Sequence, residues 1–160
     1  MLSHIDAQGN PMMVNVSEKQ VSQRTATARS IISLPPDVLA HLIDGDLQTK
    51  KGPVFQTAII AGIMAAKKTG ELIPLCHPLG LDNCTIDIGL NKQNEVVIDC
   101  TASITAKTGV EMEALAAVSA ACLTIYDMMK FAGQDMTISR IQLVHKSGGK
   151  SGVYNRGRIL

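Results

Sequence analysis

Groups that can transfer protons lie at both ends of one long apolar segment, KTGVEMEALAAVSAACLTIYDMMK, which runs from Lys107 to Lys130. Glu113 lies near its start, and Asp127 lies three residues before Lys130 at its end. Residues three apart are neighbours on a helix, so Asp127 and Lys130 can form an ion pair. Carboxylates and amines serve as general acids or bases when neighbouring groups tune their pKa values. The pattern indicates either proton-transfer chemistry or a core helix whose terminal lysine is favoured by the helix dipole.

Three loops carry further candidate groups. Lys50 and Lys51 precede a predicted helix start, where free backbone amides favour phosphate. Cys76 and His77 lie between two prolines, and histidine titrates near neutral pH. The third loop, KSGGKSG at residues 146–152, combines lysines with glycines that let backbone amides converge on an anion. The structural alternatives are a solvated basic loop, a histidine bonded to backbone and a flexible exit loop.

The basic residues of these loops, together with Arg24, Arg29 and Lys130, predict a polyanionic small ligand. A nucleoside triphosphate or a sugar phosphate would fit this charge pattern. The chain carries no Rossmann, Walker or zinc-deaminase motif, and its four cysteines include no CxxC pair. The sequence therefore implies no metal or redox cofactor, and the cysteines are expected to be reduced thiols.

The composition, 46% hydrophobic and 18% charged over 160 residues, predicts a single globular domain spanning residues 1–160. An N-terminal arm of about residues 1–23 and a C-terminal tail of about residues 153–160 are expected to be partly mobile. Two Phe, two Tyr and no Trp argue against a base-stacking platform, and a net charge of +1 argues against bulk binding to nucleic acid or a membrane. No apolar signal core begins the chain and no uncharged apolar run reaches membrane-spanning length, so a cytoplasmic protein is expected.

Hydrophobic periodicity assigns these groups to secondary-structure elements. The predicted strands cover residues 24–34, 81–90, 95–104 and 135–145, and the predicted helices cover residues 37–43, 54–68 and 109–132. The proline-flanked segment 71–80 is expected to be an extended loop, and Thr108 with Glu111 fits a capping box. The order is β-α-β-β-α-β with one extra helix, which predicts an α+β fold with helices on one face of an antiparallel sheet.

The two ends of the long helix are too far apart to serve one small-molecule site within a single chain. Glu113 and Lys130 are separated by 17 residues, which is roughly 25 Å at helical rise. If both groups bind one ligand, different copies of the chain must supply them. The middle of the helix is rich in alanine, so a second backbone can approach closely. One face of the helical wheel carries Met112, Leu115, Ala116, Ser119, Leu123, Tyr126 and Lys130.

Three long motifs resemble one family, the cyclic pyranopterin monophosphate synthases of molybdenum cofactor biosynthesis. They are KKGPVFQTAIIAGIMAAKKTGELIPLCHPL, KTGVEMEALAAVSAACLTIYDMMK and KSGGKSG, and the similarity extends over residues 13–152. The resemblance implies a lyase that converts 3′,8-cyclo-7,8-dihydroguanosine 5′-triphosphate to cyclic pyranopterin monophosphate and releases diphosphate. It also implies a ferredoxin-like fold and a homohexamer, a trimer of dimers with its sites at subunit interfaces.

The resemblance carries expected site residues with it. The family's active-site aspartate matches Asp127, and its catalytic lysines match Lys51 and Lys130. Its substrate-binding motif residues match Leu75, Cys76, His77, Met112 and Glu113. Positive charge for the leaving diphosphate is expected from Lys146, Lys150, Arg24 and Lys67. No protein metal site or cofactor is implied, although Mg²⁺ could assist the triphosphate.

The chain departs from the family pattern at two places. Met12 and Asn15 stand where the family usually has His and Asp, which puts a polar role of this arm in question. Pro53 stands where an acidic residue is common and is expected to change loop stiffness more than chemistry. The alternative function is a pterin- or nucleotide-binding oligomer without turnover. The presence of all three expected catalytic residues favours the enzyme.

Overall fold

A computed structural model of the chain describes residues 4–157. The predictions of a mobile arm and tail extend to residues 1–3 and 158–160, which lie outside the described residues. In chain order the elements are β1 (Ser22–Ser33), α1 (Pro36–Leu39), β2 (Leu42–Ile43), β3 (Asp46–Thr49), β4 (Gly52–Pro53), α2 (Val54–Lys67), α3 (Thr69–Leu72), β5 (Asn83–Leu90), β6 (Glu95–Ala106), α4 (Glu111–Met129), β7 (Thr137–Ser147) and β8 (Tyr154–Asn155).

The main sheet has five strands in the order β5-β6-β1-β7-β8, and every neighbouring pair is antiparallel. Its four long strands, with α2 and α4, have the β-α-β-β-α-β chain order. Both helices pack on the sheet and on each other. This arrangement is the α+β ferredoxin-like fold, as predicted.

The alternating pattern of β1 sets the face of the sheet that forms the core. Ala26, Ala28, Ser30 and Ile32 are buried, while Thr27 and Arg29, which alternate with them, are only partly buried. Ser30 satisfies its buried hydroxyl by donating to the carbonyl oxygen of Val118 in α4 at 3.1 Å. The inward face of β1 therefore lies against α4.

One face of α4 is buried, and a different face carries the apolar residues named from the helical wheel. Its buried residues include Ala114, Ala117, Ala121 and Ile125. The opposite face exposes Leu123 by 62%, and neighbouring α2 exposes Ile60 by 60%. By length and composition α4 could cross a bilayer. Half of its apolar stretch is buried in the fold, however, and core helices share this length and composition. The fold thus uses α4 as a core helix with an exposed apolar outer surface.

The segment between β1 and α2 differs from the prediction. A helix was predicted over residues 37–43, whereas α1 ends at Leu39 and a second, three-stranded sheet of β2, β3 and β4 follows. Asp44 and Gly45 both have positive φ, at 50° and 82°, and connect β2 to β3. An Asp-Gly pair in this conformation forms a tight hairpin turn. The predicted helix over residues 37–43 is therefore replaced, after Leu39, by a hairpin that turns at Asp44 and Gly45.

Two further differences concern segments next to the site. The predicted extended loop 71–80 begins in helix, because α3 includes Glu71 and Leu72. Near the C-terminus, β8 pairs with β7, and the guanidinium of Arg156 donates to the carbonyl oxygen of Leu143 at 2.7 Å. The described part of the tail therefore adds a fifth strand to the sheet.

Candidate active site

A short hairpin brings the lysine pair to the end of the long helix. Gln48 pairs with Pro53 and Thr49 with Gly52, so Lys50 and Lys51 form the turn between β3 and β4. This turn and the end of α4 border a cavity of about 1010 Å³. Its lining residues are His41, Gln48, Thr49, Lys50, Lys51, Asp127, Met128, Lys130, Phe131 and Gln134. The three residues expected to be catalytic therefore lie at one cavity, which we call the lysine cavity.

The predicted ion pair at the end of α4 is present. Lys130 Nζ lies 2.9 Å from Asp127 Oδ1, and both side chains are more than half exposed. The hydrogen bond and charge of Lys130, with a smaller contribution from Lys51, lower the pKa of Asp127. The same hydrogen bond and the charge of Asp127 raise the pKa of Lys130. In this arrangement Lys130 is a proton donor and not a base.

The amides at the start of α2 are not open to a phosphate. Asp46 Oδ1 accepts a hydrogen bond from the backbone N–H of Phe55 at 2.7 Å, and Asp46 Oδ2 accepts one from Gln56 at 3.3 Å. A carboxylate already neutralises this helix end. The amides of Phe55 and Gln56 are therefore occupied by a carboxylate, and the anion-binding potential of this region comes mainly from the lysines. Pro53 is the residue before the helix, which begins at Val54 as predicted.

A second cavity, of about 490 Å³, lies at the opposite end of α4, and we call it the thiol cavity. It contains all five residues that the resemblance assigns to substrate binding. Its lining residues are His4, Val14, Val16, Lys19, Ile73, Leu75, Cys76, His77, Leu79, Thr108, Gly109, Glu111, Met112 and Glu113. The proline-flanked loop and the first turn of α4 therefore form one site.

Glu113 is the buried carboxyl group of the thiol cavity, with only 2% of its surface exposed. Burial raises its pKa, the hydrogen bond of its own backbone amide partly opposes this, and the charge of Glu111 adds a smaller increase. The thiol of Cys76 donates to Glu113 Oε1 at 3.9 Å. Burial, followed by the charges of Glu113 and Glu111, raises the pKa of Cys76. Cys76 is thus held as a thiol, and Glu113 is disposed to carry a proton.

The predicted capping box is absent. No side chain caps α4, whose preceding residue is Val110. Glu111, the expected box partner of Thr108, instead accepts a hydrogen bond from Lys146 Nζ at 2.9 Å. This ion pair connects the start of α4 to β7, and it places Lys146 beside the thiol cavity.

His77 is bonded to backbone, as its structural alternative proposed. Its Nε2 lies 2.7 Å from the carbonyl oxygen of Val14, so Nε2 carries the proton and donates it. Nδ1 is then the ring nitrogen available to a substrate. The bond also fixes the N-terminal arm across the thiol cavity. Asn15 Oδ1 accepts from the amide of Ser17 at 2.9 Å, so Asn15 shapes a turn of this arm.

The glycine-rich loop approaches β1 closely. Gly148 and Gly149 have φ values of 94° and 78°, which a residue with a Cβ rarely adopts. A Cβ on Gly148 would overlap the carbonyl oxygen of Gln23, and one on Gly149 would overlap the guanidinium of Arg24. That guanidinium donates to the carbonyl oxygens of Ala106 and Lys107 at 3.3 and 3.2 Å. The loop and Arg24 are therefore held together.

Two small cavities adjoin the thiol cavity along this loop. One of about 190 Å³ contacts Arg24, Lys146 and Gly148, and the other of about 460 Å³ contacts Arg24 and Lys150. Lys19 lines both of them and the thiol cavity as well. Sequence analysis missed Lys19 because an isolated lysine in a polar arm matches no motif. Its position between three cavities is visible only when the arm is folded back.

Lys67 lies at the other side of Glu113. Both residues line a cavity of about 290 Å³ together with Gly70, Pro78 and Leu79. All nine residues expected to bind substrate or diphosphate thus line the thiol cavity or a cavity that shares Glu113, Glu111 or Lys19 with it. The lysine cavity shares no residue with them. Within residues 4–157, no three His, Cys, Asp or Glu side chains come close enough together to hold a metal ion.

The candidate residues therefore form two separate half-sites. They lie at opposite ends of α4, a helix of 19 residues, which is roughly 28 Å long at helical rise. The lysine cavity offers a proton donor and its carboxylate partner. The thiol cavity offers a buried carboxyl, a thiol, an imidazole and four neighbouring cationic side chains, from Arg24, Lys67, Lys146 and Lys19.

Fold and half-sites together define a class: a ferredoxin-like α+β protein with cationic cavities suited to an anionic small molecule. The chain belongs to the MoaC family, whose model matches residues 13–149. A protein of Thermomicrobium roseum called cyclic pyranopterin monophosphate synthase is 47% identical over 156 residues, covering 97% of this chain and 93% of the relative. Cyclic pyranopterin monophosphate synthase 1 of Mycobacterium tuberculosis is 52% identical over 155 residues, covering 97% and 90%. The Helicobacter pylori protein of the same function name is 50% identical over 155 residues, covering 96% and 97%.

Proposed function

We propose that this chain converts 3′,8-cyclo-7,8-dihydroguanosine 5′-triphosphate to cyclic pyranopterin monophosphate and diphosphate, in molybdenum cofactor biosynthesis. The observation that carries the proposal is identity of 47–52% with relatives named as this synthase, over 96% or more of the chain. The site chemistry supports the same reaction, because it combines proton donors with clustered cations and needs no redox group.

In this proposal the lysine cavity supplies protons. The reaction opens the purine-derived ring and closes a pyran, and both steps move protons between nitrogen and oxygen atoms of the substrate. Lys130, whose pKa is raised by Asp127, donates a proton to a developing negative charge. Asp127 orients the ammonium group of Lys130, and Lys51 contributes the second positive charge of this cavity.

The thiol cavity holds the substrate and supplies a buried acid. Glu113, with its raised pKa, can give a proton to the substrate and take one back. His77 presents Nδ1, since Nε2 is bonded to Val14. Leu75 and Met112 provide the apolar contacts of the cavity, and the Cys76 thiol donates weakly to Glu113.

The cationic side chains around the glycine-rich loop favour the phosphoryl step. In that step a substrate hydroxyl attacks the α-phosphorus, the bond to the bridging oxygen of the β-phosphate breaks, and diphosphate leaves. Positive charge near the leaving oxygen stabilises it. Arg24, Lys146, Lys150 and Lys67 are the proposed donors of this charge. We expect no protein-bound cofactor, and Mg²⁺ can accompany the triphosphate as part of the substrate.

We further propose that the working unit is a homo-oligomer, a hexamer built as a trimer of dimers, in the cytoplasm and without a nucleic-acid or membrane partner. Support comes from the two half-sites, which one chain cannot bring together, and from the apolar outer surface of α2 and α4. A neighbouring copy that covers this surface can place its thiol cavity next to the lysine cavity. Light scattering after gel filtration gives the number of subunits.

Mixing two inactive variants tests whether the sites are shared. Lys130→Ala disables the lysine cavity, and Glu113→Gln disables the thiol cavity. If each site combines residues of two chains, refolding a 1:1 mixture restores about a quarter of the wild-type sites, because half of the random dimers are mixed and each has one intact site. Restored activity supports shared sites. If a well-mixed oligomer stays inactive, no site combines the lysine cavity of one chain with the thiol cavity of another, and the proposal is contradicted.

The reaction itself is tested by incubating the purified protein with the cyclised dihydroguanosine triphosphate. Diphosphate release and the mass of the pterin product are followed together. Equal rates of both establish the synthase activity. Tight binding of substrate without diphosphate release, by folded protein, would instead identify a pterin- or nucleotide-binding protein.

A further inference from the structure

The lysine cavity has an aromatic wall. Phe131 follows Lys130 directly, and 64% of its surface is exposed. Its ring meets that of His41 edge to face, with centroids 5.3 Å apart and an interplanar angle of 77°. Both rings line the cavity that holds Lys51, Asp127 and Lys130. Phe131 is one of only two Phe in the chain, and its exposed ring faces the cavity of the candidate catalytic groups, where it can contact a ligand.

We propose that Phe131 and His41 form a ring-binding wall, which contacts the planar bicyclic ring of the substrate. The inference rests on the proposed function, because it takes from it a substrate that joins a guanine-derived ring to a triphosphate. Aromatic side chains bind heterocyclic bases by stacking and do so without requiring a particular base. The edge-to-face contact with His41 fixes the orientation of Phe131, so the wall is partly ordered before the ligand arrives.

The rest of the cavity suits such a ring. Gln48 and Gln134 line it, and each carries an amide that can donate and accept hydrogen bonds at the edge of a purine-derived heterocycle. Lys50, Lys51 and Lys130 line it too and can neutralise negative charge that develops on the ring. An aromatic face and amide groups in one cavity of about 1010 Å³ match the face and the polar edge of the ring.

The experiment compares GTP, which has a purine ring and a triphosphate, with inorganic triphosphate, which has no ring. Calorimetry measures the affinity of the full-length protein for each. Phe131→Leu removes the aromatic face but keeps an apolar side chain, and Phe131→Tyr keeps the ring. Ile43→Ala is the matched control. Ile43 is an exposed apolar residue of β2, in the three-stranded sheet, and it does not line the cavity.

Phe131→Leu is expected to weaken GTP binding about tenfold, equivalent to ~1.4 kcal/mol, and to leave the affinity for triphosphate unchanged. Phe131→Tyr and Ile43→Ala should both bind GTP like the wild type. An unchanged GTP affinity of Phe131→Leu would contradict the proposal of a ring-binding wall. A change in oligomeric mass of Phe131→Leu also overturns it, because Phe131 would then be covered by a neighbouring subunit.

The two proposals fail in different ways. Wild-type protein without turnover, but with an affinity for GTP that depends on Phe131, contradicts only the synthase activity. Full turnover with equal GTP affinity in wild type and Phe131→Leu contradicts only the ring-binding wall. His41→Ala should reduce GTP affinity by less than Phe131→Leu does, because His41 orients the wall from its edge.

Discussion

Lys130 Nζ lies 2.9 Å from Asp127 Oδ1, one turn back along α4, where both groups face a cavity that also contains Lys51. The pair is exposed, so it contributes little to the stability of the fold, while each group shifts the pKa of the other at the cavity. The raised pKa of Lys130 keeps the ammonium protonated over the physiological range.

Lys130→Ala should therefore abolish most turnover and leave the fold intact. Loss of a positioned general acid lowers kcat by roughly 10²–10⁴-fold. Steady-state diphosphate release measures kcat, and circular dichroism checks that the melting temperature is unchanged. Lys92→Ala, in the exposed turn between β5 and β6, is the matched control and should keep full activity. A Lys130→Ala enzyme with wild-type kcat would remove Lys130 from the mechanism.

Asp127→Asn should move the basic limb of the pH–rate profile. In the wild type Asp127 raises the pKa of Lys130 above its ordinary 10.5. Without the carboxylate this pKa falls, so Lys130 loses its proton at lower pH and the rate declines earlier as the pH rises. The measurement is kcat against pH for both proteins, with Asp87→Asn on β5 as control. An unshifted basic limb would show that another group sets it.

Glu113→Gln should change how stability depends on pH. The folded-state pKa of Glu113 is raised above its ordinary 4.5, so the folded chain binds this proton more tightly than the unfolded chain. The resulting stability is complete below pH 4.5 and is lost as the pH rises through the folded-state pKa. The free energy of unfolding of Glu113→Gln should therefore increase relative to that of the wild type as the pH rises through that range.

Urea unfolding at a series of pH values measures this difference. Glu71→Gln, at an exposed carboxyl that lines the neighbouring cavity, serves as the control for the loss of one carboxylate. A constant difference between Glu113→Gln and wild type across the series would mean that Glu113 titrates normally. The same variant is expected to lose turnover, because glutamine cannot donate the proton.

Gly148→Ala and Gly152→Ala form a matched pair in the glycine-rich loop. Both glycines have φ in the left-handed region, at 94° and 68°, so each alanine adds backbone strain of about 1–2 kcal/mol. Only at Gly148 would the new Cβ overlap a neighbour, the carbonyl oxygen of Gln23, whereas Gly152 faces open space. Gly148→Ala should therefore displace the loop from Arg24 and raise KM by roughly ten- to a hundredfold.

Gly152→Ala should keep KM close to the wild-type value while lowering the melting temperature slightly. Substrate titration of the rate gives KM for each variant. Equal values of KM in the two variants would show that the close approach of Gly148 to β1 does not matter for substrate binding.

Much of the fold follows from sequence patterns that are local. The alternation in β1 identified Ala26, Ala28 and Ile32 as core residues, because a strand buried on one face needs a period of two. The hairpin of β5 and β6 and the two main helices were predicted within a few residues of their observed ends, for the same reason. The three-stranded small sheet was missed because its strands have only two to four residues, too short to show a period.

The sequence predicted in part which residues form each half-site. Asp127 and Lys130 are three residues apart, so helical geometry alone places them together. Helical rise also separates them from Glu113, whatever the rest of the fold does. The grouping of Cys76 and His77 with Glu113 came only from resemblance to a family, since no local rule joins a loop to a helix more than 30 residues later.

Tertiary structure decided which group satisfies each end of the helices. The amides at the start of α2 bind Asp46, and Glu111 binds Lys146 and not the start of its own helix. Long-range partners replaced the local ones that the sequence suggested, because a charged group held nearby by the fold competes with any local cap at little further entropic cost. Lys19, Phe131 and His41 enter the candidate sites for a similar reason, since only chain folding brings the N-terminal arm to one cavity and joins the end of α4 to the turn before β2 at the other.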